Sequence, residues 1–374
     1  MKTLAQADLA GKTVFYRPDY NVPLENGVIQ DDFRIVSTFP TLEKLIAAGC
    51  KIVIGSHVGR PDGQEKSEFS MRPVAQRLAD QYQEAHTVRL AHKLDPTEIK
   101  AALGSMKAGD ILLLENLRYN PGEEANDPEF AKLLASLADI YVNDAFACDH
   151  RAHASIVGVP ALIPGYAGLL VEKEVSSLGS IVKDPAHPFV VIMGGAKVSD
   201  KIEVITALAK VADTLLIGGA MANTFLLAKG EDISKSKAEA DKVEMAKGLI
   251  ASLGEKLVLA TDYAKKDVDG GFSYMDIGPK AIEQFQGYLG NAKTIFWNGS
   301  LGYAEDPKFA IATQAIAKYI GSLKGVTSVV AGGDTVETIS TLKLHDQFTF
   351  ISTGGGAALE FLAGTELPGI KALE

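Results

Sequence analysis

The chain has 374 residues, 47% of them hydrophobic and 22% charged, which suits a folded soluble protein and exceeds what one core usually organises, so two domains are expected. A net charge of −10 argues against nucleic acid as a bulk partner, and two cysteines, Cys50 and Cys148, are too few for a disulfide framework and share no metal-ligand spacing. The longest uncharged stretch, 154–171, is broken by Pro160, Pro164 and glycines and falls short of the ~20 apolar residues a spanning helix needs. Residues 1–18 lack the apolar centre of a signal peptide, so a cytoplasmic protein without membrane contact is expected.

Apolar runs alternate with helix-length segments along the whole chain. Strands are expected at 13–17, 51–56, 87–90, 111–116 and 140–144, then at 189–193, 214–218, 257–261, 294–298, 328–332 and 348–352. Helices are expected at 37–48, 70–82, 198–210, 236–252, 307–320 and 355–363. Continuous apolar strands between helices indicate parallel sheets covered on both faces. The fold class is therefore α/β: two doubly wound, Rossmann-like domains. Residues 166–185 read as a linking helix closed by Asp184-Pro185, with a second domain over 186–355. The acidic stretch Glu123–Glu129 reads as solvated surface.

All eight arginines lie within the first 151 residues, and five of the seven histidines precede residue 154. The clusters YRPDYNVP (16–23), DDFRI (31–35), SHVGRP (56–61), ENLRYN (115–120) and NDAFACDHRAHAS (143–155) follow, or lie beside, predicted strands. Arg17, Arg34, His57, Arg60, Arg118, His150, Arg151 and His153 can thus converge on one sheet edge. Guanidinium groups grip phosphate or carboxylate through paired hydrogen bonds, which suits a small polyanion. Asp19 and Asn21, alternating along the first strand, are placed to hold a hydroxyl.

The second half has no arginine. Four of its strands run into glycines followed by helices: IMGGAKVSDK (192–201), LIGGAMANTF (216–225), VAGGDTVET (330–338) and ISTGGGAALE (351–360). Such turns aim backbone N–H groups and helix dipoles at an anion. Neither GxxxxGK[ST] nor a strand-to-helix GxGxxG is present. Lys197 and Lys201, at i and i+4, are expected on one face of a helix start. Asp334 is a candidate both for a helix N-cap and for a Mg²⁺ ligand.

Together these motifs resemble the phosphoglycerate kinase family over essentially the full length. YRPDYNVP is similar to its Arg-x-Asp-x-Asn-Val-Pro signature, and SHVGRP, LLLENLRYNPGEE, HRAHAS, GGAKVSDKI, LIGGAMANTF, MDIGPKAIE, WNG, AGGDT and STGGGAALEFL follow in family order. The resemblance implies that Asp19, Asn21, Arg34, His57, Arg60, Arg118 and Arg151 bind 3-phosphoglycerate or 1,3-bisphosphoglycerate. It implies that Lys197, Lys201, Asn298, Glu305, Gly332, Gly333, Asp334 and Thr335 bind Mg-ADP or Mg-ATP. A monomer is expected, with lobes that close about a hinge and a C-terminal tail, 356–374, returning to the first domain (1–165).

Phosphoryl transfer from an acyl phosphate to ADP needs no general base in reverse, because the accepting carboxylate is already ionised at pH 7. Positioning and positive charge remain as the task, and Arg34, Lys197 and N–H groups of Gly354, Gly355 and Gly356 are expected to surround the moving group. Three places depart from the family pattern, the first being Pro18, which stands before Asp19 where valine is usual. Ala147-Cys148-Asp149 replaces Gly-Thr-Ala, placing an acid beside His150 and Arg151. Ser300-Leu301-Gly302-Tyr303-Ala304-Glu305 replaces Pro-x-Gly-Val-Phe-Glu. A nicotinamide-dependent dehydrogenase would need the missing glycine fingerprint, a two-lobed solute-binding protein an export signal, and a nucleotide-binding relative with poor catalysis would owe it to these two segments.

Overall fold

Six short runs of the first half lie side by side as a parallel sheet. In the computed structural model, which describes residues 1–374, they belong to one of two units: Met1–Val175 with Glu366–Glu374, and Ser176–Thr365. In chain order the first unit contains β1 (Thr13–Pro18), a hairpin of β2 (Leu24–Glu25) and β3 (Val28–Ile29), α1 (Phe33–Val36), α2 (Phe39–Ala47) and β4 (Lys51–Ile54). It continues through α3 (Arg72–Tyr82), β5 (Val88–Ala91), α4 (Pro96–Ser105), β6 (Ile111–Leu114), α5 (Pro121–Glu124), α6 (Pro128–Ala135), β7 (Ile140–Asp144) and β8 (Gly165–Ala167). The strand order is β5-β6-β4-β1-β7-β8. Val14, Tyr16, Ile52, Ile54, Ile111, Leu113, Ile140 and Val142 point to one face, where they form a core with Leu42, Leu45, Val74 and Leu78. Their spacing of two along each strand is the alternation a pleated strand imposes.

The linking helix α7 (Leu169–Lys183) contains the division between the units. It begins three residues later than expected because Gly165–Ala167 pairs with β7 as an edge strand. Its first turn is capped from the first unit's core. Asp144 Oδ1 accepts from the amides of Leu170 (3.0 Å) and Val171 (3.1 Å), and Thr41 Oγ1 accepts from that of Leu169 (3.0 Å). These bonds satisfy amides that a helix start leaves without acceptors.

The second unit contains β9 (Phe189–Met193), α8 (Ile202–Leu208), β10 (Thr214–Ile217), α9 (Gly219–Ala228), α10 (Val243–Leu253), β11 (Leu257–Leu259), β12 (Tyr263–Val268) and β13 (Gly271–Ile277). It continues through α11 (Pro279–Leu289), β14 (Thr294–Asn298), α12 (Ile311–Ser322), β15 (Thr327–Ala331), α13 (Gly333–Thr341), β16 (Phe350–Ile351) and α14 (Gly356–Ala363). Its parallel sheet runs β11-β10-β9-β14-β15-β16. From β9 the chain winds outward to β11, then restarts beside β9 at β14, so the switch in winding lies between β9 and β14. Crevices open at such points beyond the carboxyl ends of the strands.

The structure differs from the sequence reading at several places. Residues 356–365 stay in the second unit, where α14 packs on α8, and only Glu366–Glu374, including α15 (Pro368–Lys371), belong to the first. That tail is tied down by Lys2 N donating to Leu373 O (2.7 Å). The antiparallel hairpin β12–β13 carries no apolar run of the length that flagged the sheet strands, and went unpredicted. Glu123 is fully buried rather than solvated, because its carboxylate accepts from Ser155 N (3.0 Å) and Ser155 Oγ (2.5 Å).

Ala281, Phe285 and Leu289, at i, i+4 and i+8, form the buried stripe of α11. Phe285→Ala should destabilise the second unit by about 3–5 kcal/mol. Urea unfolding followed through Trp297, the only tryptophan and itself in β14, reads that change as a lower midpoint.

Candidate functional site

In the first unit, β1, β4 and β7 end side by side, and the loops leaving them gather the expected cations. Asp19 follows β1 directly and is 6% exposed. Arg34, in the single turn of α1, forms an ion pair with Asp19 Oδ2. His57 Nδ1 lies 3.8 Å from Asp19 Oδ1. Burial works to raise the Asp19 carboxyl, but Arg34, His57 and Arg17 outweigh it and hold it below the ordinary range. Burial pushes the His57 imidazole well below its usual value, and Arg17, Arg118 and Arg34 push the same way, so it is neutral at physiological pH.

Arg118 donates to Gly59 O (2.9 Å), and Gly59 N donates to Asn21 Oδ1 (2.9 Å), which ties the three loops together. Asn21 therefore lies in a loop rather than on the strand, and its amide oxygen already serves the backbone. Arg60 is exposed beside Gly59, and Arg151 Nε donates to His150 Nε2 (3.1 Å). Arg17 lies deeper, 1% exposed, donating to Ser155 Oγ (2.7 Å) and 3.9 Å from Glu123. His153 is held neutral, with its pKa pushed down to about 3 by burial and then by Arg17 and Arg118.

Asp149 does not act on this cationic group as expected. Its side chain accepts from Asn143 Nδ2 (2.7 Å), and its backbone oxygen accepts from Gly369 N (2.9 Å) in the C-terminal tail. A Cβ on Gly369 would collide with the Asp149 carboxylate, so the glycine lets the tail close over it.

In the second unit the glycine turns are arranged differently from the expectation. Gly194 N donates to Asn298 O, Gly195 N to Ser300 O (2.8 Å) and Gly219 N to Leu301 O (2.9 Å). These amides are consumed by the chain segment after β14 and do not face an anion. A side chain at Gly219, where φ is +65°, would meet Gly195 N at 2.5 Å and Ser300 O at 2.8 Å. The first-turn amides of α13 and α14 have no intrahelical acceptor and are the ones left for an anion. Of the glycines at the latter turn, Gly354 N is engaged by Ser352 Oγ (3.0 Å).

Lys201 spans the switch in winding, donating to Gly194 O (2.6 Å) at the end of β9 and to Asn298 O (3.2 Å) at the end of β14. Burial lowers its pKa to about 8, against the pull of Asp334 and Asp200. Lys197 is exposed and lies ahead of the 3₁₀ turn Ser199–Lys201 that precedes α8, so the two lysines do not share a helix face. Asp334 is not an N-cap: Gly332 (φ +98°) fills that place, and Asp334 sits exposed in the first turn of α13. Asn298 Nδ2 donates to Ala331 O (3.0 Å) and Thr335 Oγ1 accepts from Gly299 N (2.8 Å), so both side chains brace β14 against β15 and α13.

A cavity of about 310 Å³ opens among these elements. Glu305 and Asp334 line it as expected, together with Gly195, Gly219, Ala220, Asn223, Lys237, Tyr303 and the β13 residues Ser273–Ile277. The β13 wall was invisible in the sequence because the hairpin was. Asn223 and Lys237 were also missed: Asn223 lies one turn into the helix after Gly218-Gly219, and Lys237 stands apart from any glycine turn.

A family model described as phosphoglycerate kinase matches residues 4–365. The chain belongs to the phosphoglycerate kinase family. It is similar to the phosphoglycerate kinases of Dictyoglomus turgidum (46% identical, covering 99% of this chain and 98% of that one) and Fervidobacterium nodosum (44%, covering 99% and 98%). It also superposes on the crystal structure of phosphoglycerate kinase from Pyrococcus horikoshii with a TM-score of 0.89, at 32% identity, over 100% of this chain and 98% of that one. Membership accounts for two parallel sheets flanked by helices, and for a transferase of the glycolytic kinase class. No helix is long and apolar enough to cross a membrane.

The acid at position 149 gives this chain a pH response. Burial raises the Asp149 carboxyl to about 7, against Asn143 and Arg17. A raised acid pKa means that the native state holds a proton the unfolded state gives up near pH 4. The stability so contributed is fully present below pH 4 and is lost as pH rises through about 7. Asp149→Asn should flatten the fall of Tm between pH 4 and 7 in a thermal melt series; an unchanged slope would show that Asp149 is ionised throughout.

Proposed function

We propose that the group around Asp19, Arg34, His57, Arg60, Arg118 and Arg151 holds 3-phosphoglycerate or 1,3-bisphosphoglycerate. We likewise assign Mg-ADP or Mg-ATP to the cavity beside Lys201, Glu305 and the Gly332–Thr335 turn. The reaction is phosphoryl transfer between the substrate carboxyl group and the nucleotide, the activity of the family. The observation that carries this reading is the contrast between the units: clustered guanidiniums at one switch in winding, and at the other a lysine beside a nucleoside-sized cavity walled by glycines and β13.

In the first site, the Arg34 side chain is 30% exposed and can exchange its Asp19 partner for an incoming anion. Arg118 and Arg151 supply fixed charge for the phosphate at the far end of the sugar acid, with neutral His57 and Asp19 left to bond hydroxyl groups. In the second site, Lys201 and the first-turn amides of α13 meet the nucleotide phosphates. Asp334 offers an exposed hard oxygen at the cavity mouth, a donor that suits Mg²⁺, and the ion would neutralise phosphate charge when bound with the nucleotide. For the transferred group we retain Arg34, Lys197 and the Gly354–Gly356 turn, with the amides of Gly355 and Gly356 rather than Gly354 as its donors.

Incubation with ATP, Mg²⁺ and 3-phosphoglycerate should yield ADP, and no turnover would refute the reading. Arg34→Ala should lower kcat by ~10³–10⁵ with the fold intact by circular dichroism. A variant keeping more than a tenth of wild-type kcat would remove Arg34 from the reaction. Because the Lys201 ammonium is present below about pH 8 and lost above it, ATP affinity should weaken as pH rises through 8. Lys201→Arg, charged throughout, should hold it level. The same fall in both proteins would exclude a phosphate contact at Lys201.

A further inference from the structure

Cys148, Asp19 and His57 stand at the ends of neighbouring strands, and one donor atom from each lies within 4.8 Å of the other two. All three are buried, at 4%, 6% and 2% exposure. His57 Nδ1 has no hydrogen-bond partner and faces Asp19 Oδ1 at 3.8 Å. That oxygen accepts only a long bond from Asn21 N (3.2 Å), whereas Arg34 occupies the other oxygen, Oδ2. The Cys148 sulfur accepts a long hydrogen bond from Arg17 Nη2, at 3.9 Å.

We infer that Cys148 Sγ, His57 Nδ1 and Asp19 Oδ1 form a three-ligand site for a borderline divalent cation of the Zn²⁺ or Co²⁺ class. One thiolate, one imidazole and one carboxylate are the donors these ions take in sites that keep a fourth position open. Tetrahedral coordination at ~2.0–2.3 Å sets donor atoms about 3.3–3.6 Å apart, so side-chain rotations of under an ångström bring the set into range. Mg²⁺ is disfavoured, because it demands an all-oxygen shell and dehydrates reluctantly. On binding, the sulfur–metal bond forms as the S–H bond breaks, the proton leaves to solvent, and no electron moves. The site gains one unit of positive charge, two from the ion less one for the proton. The nearby guanidiniums of Arg17, Arg34 and Arg118 resist that gain and keep the ion exchangeable. The site is a property of this chain, since a thiol stands where the family pattern has a threonine.

The ion takes two side chains that the proposed phosphoglycerate site also needs, so the two should exclude each other; this consequence rests on that proposal, whereas the metal site does not. The test is titration of the metal-free, full-length protein with Co²⁺, read by absorbance. We expect a sulfur-to-cobalt charge-transfer band in the near ultraviolet, one proton released per ion in weak buffer, and loss of the band in Cys148→Thr. A near-ultraviolet circular dichroism spectrum matching wild type shows that the variant is folded, and Cys148→Ser serves if threonine does not fit. No band in the wild-type protein overturns the inference. So does a band that persists without Cys148, which would assign it to Cys50. 3-Phosphoglycerate, once shown by calorimetry to bind the metal-free protein, should bleach the band; a Cys148-dependent band that it leaves intact places the phosphoglycerate away from Asp19 and His57 and leaves the metal site standing.

Discussion

A cation withdrawn from water at the end of a strand must be met by an anion or by carbonyl oxygens, and the two units meet that demand in opposite ways. In the first, the guanidiniums have carboxylates near them: buried Arg17 faces Glu123 at 3.9 Å, half-buried Arg34 pairs with Asp19, and buried Arg118 has its Nε 3.2 Å from Glu124. Breaking the Arg17–Glu123 pair, buried on both sides, on one side leaves an uncompensated charge, typically at ~3–5 kcal/mol. The loops are therefore held in place before any ligand arrives. In the second unit the Lys201 amine donates to two backbone carbonyls, and burial lowers its pKa to about 8 against the pull of Asp334 and Asp200. An incoming phosphate would supply an anion.

The same demand explains why the acids of the first unit are buried. Glu123 looks in the sequence like part of an acidic surface run, yet it holds Ser155 and faces both Arg17 and His153. Asp144 caps the linking helix from inside the core and accepts from Tyr16 OH (2.7 Å), with burial raising its pKa to about 6. Asp149 is turned toward Asn143 and the tail. Three carboxylates within a few residues of one sheet edge thus do three jobs, and only their partners distinguish them.

Glycine has a corresponding role in the second unit. The doublets after β9 and β10 read in the sequence as turns facing an anion, but what they face is the chain's own segment 298–301. Its Ser300 and Leu301 belong to one of the places that depart from the family pattern. Its hydrogen bonds to the turns are made through backbone oxygens of Ser300 and Leu301, which any residue provides, while the Leu301 side chain fills the space beside Gly218.

Both sheets, the arginine-rich first half and the resemblance to the family could be read directly from the amino-acid order, because apolar runs, glycine doublets and charge clusters are local signals. The hairpin β12–β13 escaped, since its strands are half exposed and carry charges at 265–267. Lys197 and Lys201 were assigned to one helix face because spacing alone cannot tell a helix from the turn before it. Which amides stay free, which carboxylate faces which guanidinium, and that Asp19, His57 and Cys148 share one small space are decided by residues up to 129 positions apart. Those relations come into being only when the strand ends are brought together, because electrostatic and hydrogen-bond partners are chosen by distance in space and not by order along the chain.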